Sequence, residues 1–132
     1  MSRRGGVFLT RPVLTWTGGR YPWCLTEDLL YLSPRVGQVI IPAGYTTDFA
    51  SVPRLPLVYM TLGGRASLAA VVHDYLYDCP PDGVSRADAD AVFLEAMKAA
   101  GEPGWLARQT MYAGVRLGGW RAWRRDTSDK CP

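Results

Sequence analysis

One histidine stands in this chain of 132 residues, His73, and an aspartate, Asp74, follows it directly. An imidazole beside a carboxylate suits general base work or metal ligation. A second acid with chemical prospects is Asp90, which falls on one helical face with Phe93 and Met97 at i, i+3 and i+7 and so points inward. Asp88 faces elsewhere, with Val92 and Glu95. A buried carboxylate needs a partner, and the candidates are His73, an arginine such as Arg54, or a metal ion. A third group lies in the segment that holds Thr47, Asp48, Ser51 and Arg54. Asp48 either bonds backbone amides as a turn or cap residue or faces His73 and Asp90 across a cleft. Ser51 lacks the Gly-x-Ser-x-Gly elbow of a hydrolytic serine. The candidate catalytic or metal-ligating set is therefore Asp48, His73, Asp74 and Asp90, with Thr47, Ser51 and Arg54 as a polar network around it.

The elements that must position these residues come in two styles. Segments 6–10, 13–17, 23–26, 29–32 and 38–41 are rich in β-branched and aromatic residues and are separated by turn signals. They predict a small antiparallel β-meander. Residues 46–64 form a long connection holding Pro53, Pro56, Gly63 and Gly64, and a connection of that length is usually functional or constrained. From residue 65 the pattern turns helical. Leu68, Val71, Val72 and Tyr75 repeat at helical spacing, which predicts a helix over 65–78. Ser85 followed three residues later by Asp88 reads as a capping box opening a second helix over 85–100, with Gly101 as its C-cap. A third helix is expected over 105–123, with small residues along one face, and 126–132 as a tail. One α+β domain over 1–132 is predicted, a β-meander packed against three C-terminal helices.

Composition excludes several classes. Hydrophobic residues make up 48% and charged residues 20%, which argues against disorder. The apolar runs fall far short of the ~20 residues that cross a bilayer, and Met1 to Gly6 has no apolar stretch behind it to make a signal peptide. The net charge of +3 hides an asymmetry: residues 74–102 hold seven acids, whereas 104–125 hold five arginines and no acid. The two blocks either neutralise each other or leave a basic patch for nucleic acid. Cys24, Cys79 and Cys131 are odd in number and form no Cys-x-x-Cys pair, so free thiols in a reducing compartment are expected.

Ile41-Pro42-Ala43-Gly44-Tyr45-Thr46-Thr47-Asp48-Phe49-Ala50-Ser51-Val52-Pro53, followed by His73-Asp74-Tyr75-Leu76-Tyr77 and then Arg86, Asp90 and Phe93, resembles a bacteriophage and prophage family of small domains of unknown function. That family shows Pro-Ala-Gly-Phe-x-Thr-Asp-Phe-Ala-Ser-Val-Pro and His-Asp-Tyr-Leu-Tyr segments. The resemblance implies a phage gene product and places the family's polar positions on Thr47, Asp48, Ser51, His73, Asp74 and Asp90. It carries no settled activity.

Two functions are compatible with these residues. In the first, the protein is a non-catalytic minor virion component of tail or connector, working in the virion or in the host cytoplasm during infection. It would dock other phage structural proteins, or a second copy of itself, through Trp105, Trp120, Arg121, Trp123, Arg124 and Arg125, since Trp and Arg are frequent interface anchors. Asp48, His73 and Asp90 would then lock the long connection onto the helices. In the second, His73 with some of Asp48, Asp74 and Asp90 would hold one divalent ion, Zn, Mn or Mg, and activate water to hydrolyse cell envelope or a nucleotide. A second histidine, common in such hydrolases, is missing.

Overall fold

The computed structural model describes residues 5–10, 13–18, 23–47, 66–101, 105–124 and 131, with only the backbone of 66–68. The expected α+β architecture is present. Among the described residues, six short strands come first: β1 (Val7–Phe8), β2 (Leu14–Trp16), β3 (Trp23–Leu25), β4 (Leu29–Ser33), β5 (Gly37–Ile41) and β6 (Thr46–Thr47). Four helices follow among them: α1 (Ala66–Asp78), α2 (Arg86–Ala100), α3 (Trp105–Gly118) and α4 (Trp120–Arg124).

All strand pairings are antiparallel, and they build two three-stranded sheets, ordered β1-β4-β5 and β2-β3-β6. The β2-β3 hairpin therefore interrupts the first sheet in sequence and forms its own with β6. Thr46 and Thr47 belong to that sixth strand, at the point where the expected long connection begins; the rest of that connection lies outside the described residues. Along β4 and β5, burial alternates with the pleat. Leu29, Tyr31, Val39 and Ile41 face the helices and are buried, while Leu32, Gln38 and Ile40 face out. The β4-β5 turn is held by the Ser33 hydroxyl, which accepts the Arg35 and Val36 N–H groups at 3.0 and 3.1 Å.

Helix α1 is the centre of the core. Ala69, Ala70, Val71, Val72 and Leu76 are all fully buried, so most of its circumference is apolar and enclosed. Helix α2 lies against it and contributes Ala89, Val92, Phe93, Ala96 and Met97. Its start is the capping box expected from the sequence, with the Ser85 side chain accepting the Asp88 N–H and the Asp88 carboxylate accepting the Ser85 N–H. Its end is Gly101 in the left-handed region, φ +79°, a conformation in which a Cβ is costly.

The third predicted helix is two. The two meet at Gly119, where the Tyr77 side chain comes so close that a Cβ built there would stand 2.4 Å from its hydroxyl. Met111 and Val115 carry the buried face of α3.

The free-thiol expectation fails for two of the three cysteines. Cys79 and Cys131 form a disulfide, and Cys24 alone is free. Separation along the chain was a poor guide to separation in space: the helices double back and leave Cys131 beside the end of α1, with a Cα–Cα distance of 5.6 Å that suits a bridge. Closing a loop across a separation of 52 residues removes denatured-state entropy equivalent to about 4 kcal/mol. Cys131→Ser should lower urea-unfolding stability by about 2–4 kcal/mol. Reductant should bring the unsubstituted protein to the same level and leave the variant unchanged.

Candidate functional site

Asp90 sits one turn into α2 on its inward face, and its side chain is fully buried. Four donors converge on it. His73 Nε2 lies 2.8 Å from Oδ1, and the Tyr77 hydroxyl donates to the same oxygen at 2.6 Å. Arg116 donates to Oδ2 at 2.7 Å, and Arg86 donates there at 3.3 Å. Two of these partners follow from helical spacing: Arg86 precedes Asp90 by four residues, and Tyr77 follows His73 by four. Arg86 also donates to the carbonyls of Val115 and Arg116, at 3.0 and 3.2 Å. These are last-turn carbonyls of α3, which have few partners within their own helix. One arginine therefore ties the start of α2 to the end of α3.

The His73 imidazole is enclosed by rings, with centroids 4.3 Å from Tyr77 and 4.8 Å from Phe93. Trp123 of α4 meets the far edge of Tyr77 at 5.2 Å and near-perpendicular. The cluster thus draws on α1, α2, α3 and α4.

Asp74 does not join it. The next residue along α1 turns away by about 100° and enters a separate cluster against the second sheet. The Thr47 hydroxyl of β6 donates to Asp74 Oδ2, and the Tyr45 hydroxyl lies 3.1 Å from that oxygen and 2.6 Å from Asp78 Oδ2. Asp74 and Asp78 are again four apart on α1, so both reach the same hydroxyl. Tyr45, Thr47, Asp74 and Asp78 are all buried. The single convergent pocket expected from the sequence is therefore two sites: His73 and Asp90 meet, while Asp74 pairs with Thr47 elsewhere. Asp48, Ser51 and Arg54 lie outside the described residues.

The electrostatics follow from the contacts. Burial pushes the Asp90 carboxyl up, but hydrogen bonds from His73, Tyr77 and Arg116 outweigh it and hold the group below its ordinary value. Burial first, and then the hydrogen bond to Asp90, push the Tyr77 hydroxyl up. Burial and the charges of Asp74 and Asp78 do the same to Tyr45. Both phenols therefore stay neutral donors.

The donor set around Asp90 does not suit a cation. Each oxygen already accepts two hydrogen bonds, and two of the four donors are guanidinium groups that a divalent ion would have to displace against charge repulsion. Among the described residues, no group of three His, Cys, Asp or Glu is placed to hold a metal ion. A groove of about 560 Å³, lined by Arg35, Ala91, Leu94, Glu95, Lys98 and Tyr112, opens on another face of α2 and includes no member of either cluster.

Of the residues expected to dock a partner, Trp105, Trp120, Arg121 and Arg124 are exposed, whereas Trp123 is half-buried on Tyr77. The Arg121 guanidinium lies 5.1 Å from the Trp120 ring centre. Arg125 lies outside the described residues. The acidic and basic blocks meet at Arg116 and Asp90, but Asp88 pairs instead with Arg35, from the β4-β5 turn, at 3.0 Å.

The chain belongs to the family described as "Protein of unknown function (DUF1353)", whose model matches residues 23–115. The matched span covers both buried clusters except Arg116 and Trp123, and stops short of α4. No curated protein and no solved structure matches the chain.

Asp90→Asn should cost about 3 kcal/mol, the typical loss when one partner of a buried ion pair is removed. The sign of its pH dependence is fixed by a carboxyl held below its unfolded value. That contribution is present above about pH 4 and is lost as pH falls through the folded value. Chemical unfolding followed from pH 7 to pH 3 should show a smaller acid-side loss in the variant. Gly119→Ala should press on the Tyr77 hydroxyl and draw it off Asp90. A loss of about 1–3 kcal/mol is expected, largely removed when Tyr77→Phe is present as well, because the two substitutions share one contact.

Proposed function

We propose that this protein is a phage-encoded, non-catalytic minor component of the virion, in the tail or connector, that docks other phage structural proteins through its C-terminal helices. The observation that carries this reading is the saturation of Asp90. A carboxylate with four donors, in contact with a fully buried imidazole, is built to hold helices together rather than to turn over a substrate. His73 and Asp90, which invite a catalytic reading, are engaged with each other.

Two further observations support it. Trp105, Leu106, Leu117 and Trp120 are exposed on α3 and α4, as are Arg121 and Arg124, and Trp and Arg are the residue types that anchor protein interfaces. The Cys79–Cys131 bridge suits a particle that persists outside a reducing cytoplasm. The phage assignment itself rests on the resemblance of the segments from Ile41 and from His73. The alternative, a metal-dependent hydrolase acting on cell envelope or a nucleotide, has less to support it, since His73 and Asp90 are engaged with each other and Asp74 lies in another cluster.

Mass spectrometry of purified particles should find the chain at a fixed copy number. Trp120→Ala combined with Arg121→Glu should deplete it from particles while leaving its circular dichroism unchanged. Absence from particles would overturn the proposal. So would one equivalent of bound divalent metal that disappears in His73→Ala, which would favour the hydrolase.

A further inference from the structure

The first sheet ends in a strand whose outer edge is equipped to pair. Leu30 of β4 turns both backbone groups toward β1: its carbonyl accepts the Leu9 N–H at 2.8 Å, and its N–H donates to the Thr10 hydroxyl at 3.0 Å. In an antiparallel sheet the backbone groups alternate sides, so Leu29, Tyr31 and Ser33 face β5. Their partners in register are Ile41, Val39 and Gly37, which are thereby used within the sheet. Gln38 and Ile40 aim their N–H and C=O groups away from it. Both residues are exposed, and β5 is the terminal strand of its sheet among the described residues.

Exposed edges are normally blunted by a lysine, a proline, an inward charge or a bulge. Gly37-Gln38-Val39-Ile40-Ile41 has no charged residue and no proline. Its outer face continues an apolar surface, with Val7, Leu9, Leu32 and Ile40 each 45–53% exposed.

We propose that β5 pairs antiparallel with β5 of a second copy across a two-fold axis, merging two three-stranded sheets into one of six strands. The alternation of the edge selects the register. Gln38 of one copy lies opposite Ile40 of the other, Ile40 lies opposite Gln38, and Val39 faces its own equivalent on the axis. Each Gln38–Ile40 pair exchanges two backbone hydrogen bonds, four in all. A second copy is the fitting occupant because an isologous contact sets each residue type against its own surroundings. A neutral strand meets itself without like-charge repulsion, whereas an acidic or basic partner strand would find no countercharge on this edge. The C-terminal docking surface plays no part, so the pairing stands or falls independently of the proposed function.

The test is the solution mass by sedimentation, across concentration, with hydrogen exchange at individual amides. The unsubstituted chain should reach twice the 14.6 kDa monomer mass at micromolar to tens of micromolar concentration, with slowed exchange at the Gln38 and Ile40 amides. Gln38→Pro removes an outward N–H, which no strand of the sheet uses among the described residues, and fixes φ at that residue, and Ile40→Lys sets two cations near the axis. Each should weaken association at least tenfold with an unchanged circular dichroism spectrum. Should Gln38→Pro fail to fold, Ile40→Lys carries the test alone. A monomer at every concentration into the millimolar range would overturn the proposal, as would a dimer that survives Ile40→Lys. A dimer broken by Ile40→Lys but indifferent to a folded Gln38→Pro would also overturn it, by showing face packing in place of strand pairing.

Discussion

A single carboxylate holds the helical half of this molecule together. Asp90 is out of water, and an ionised acid there is tolerable only because four donors from three helices surround it. Remove the arginines and Asp90 Oδ2 loses both of its donors; remove the acid and Arg116 loses this partner while Arg86 keeps only the carbonyls of α3. The helices cannot slide past one another without breaking this arrangement, because Arg86 binds both Asp90 and the end of α3, and Tyr77 reaches the same carboxylate from α1. Hydrophobic burial drives the helices together, but apolar contacts tolerate changes of register. Fixed hydrogen bonds to a buried charge do not.

The second cluster applies the same device to the other half. Tyr45 and Thr47 hold the second sheet against α1 through Asp74 and Asp78. Adjacent residues of one helix, His73 and Asp74, thus serve opposite neighbours: His73 faces the helices and Asp74 faces the sheet. A third polar tie, the Tyr31 hydroxyl donating to Glu95 Oε1 at 2.8 Å, joins the first sheet to α2. His73, Asp74 and Asp90, which make the sequence look catalytic, are placed where elements cross.

Much of this was legible in the sequence where one physical rule acted alone. The capping box at Ser85 and Asp88, the left-handed end at Gly101 and the inward face of Asp90 all follow from local geometry and spacing. The cost of burying a charge made His73 one of three candidate partners for Asp90, beside an arginine such as Arg54 and a metal ion. The sharing of strands between two sheets was less visible, because β6 has only two residues and its pairing with β3 is non-local. The arginine partners of Asp90 were half visible. Arg86 stands four residues away, but Arg116 arrives from another helix and has no signal in spacing. The disulfide was hidden for the same reason, since only the return of the chain brings residue 131 to residue 79. The need for glycine at 119 comes from a tyrosine hydroxyl on α1, which a helix-by-helix reading leaves out.

The bridge between Cys79 and Cys131 has a mechanical consequence. It encloses α2, α3 and α4 in a covalent ring that begins at the end of α1 and closes at the penultimate residue. Tension applied at the C-terminus runs through sulfur directly into α1 and bypasses the three helices inside the ring. Under load the enclosed helices stay slack, and the buried core helix takes the strain.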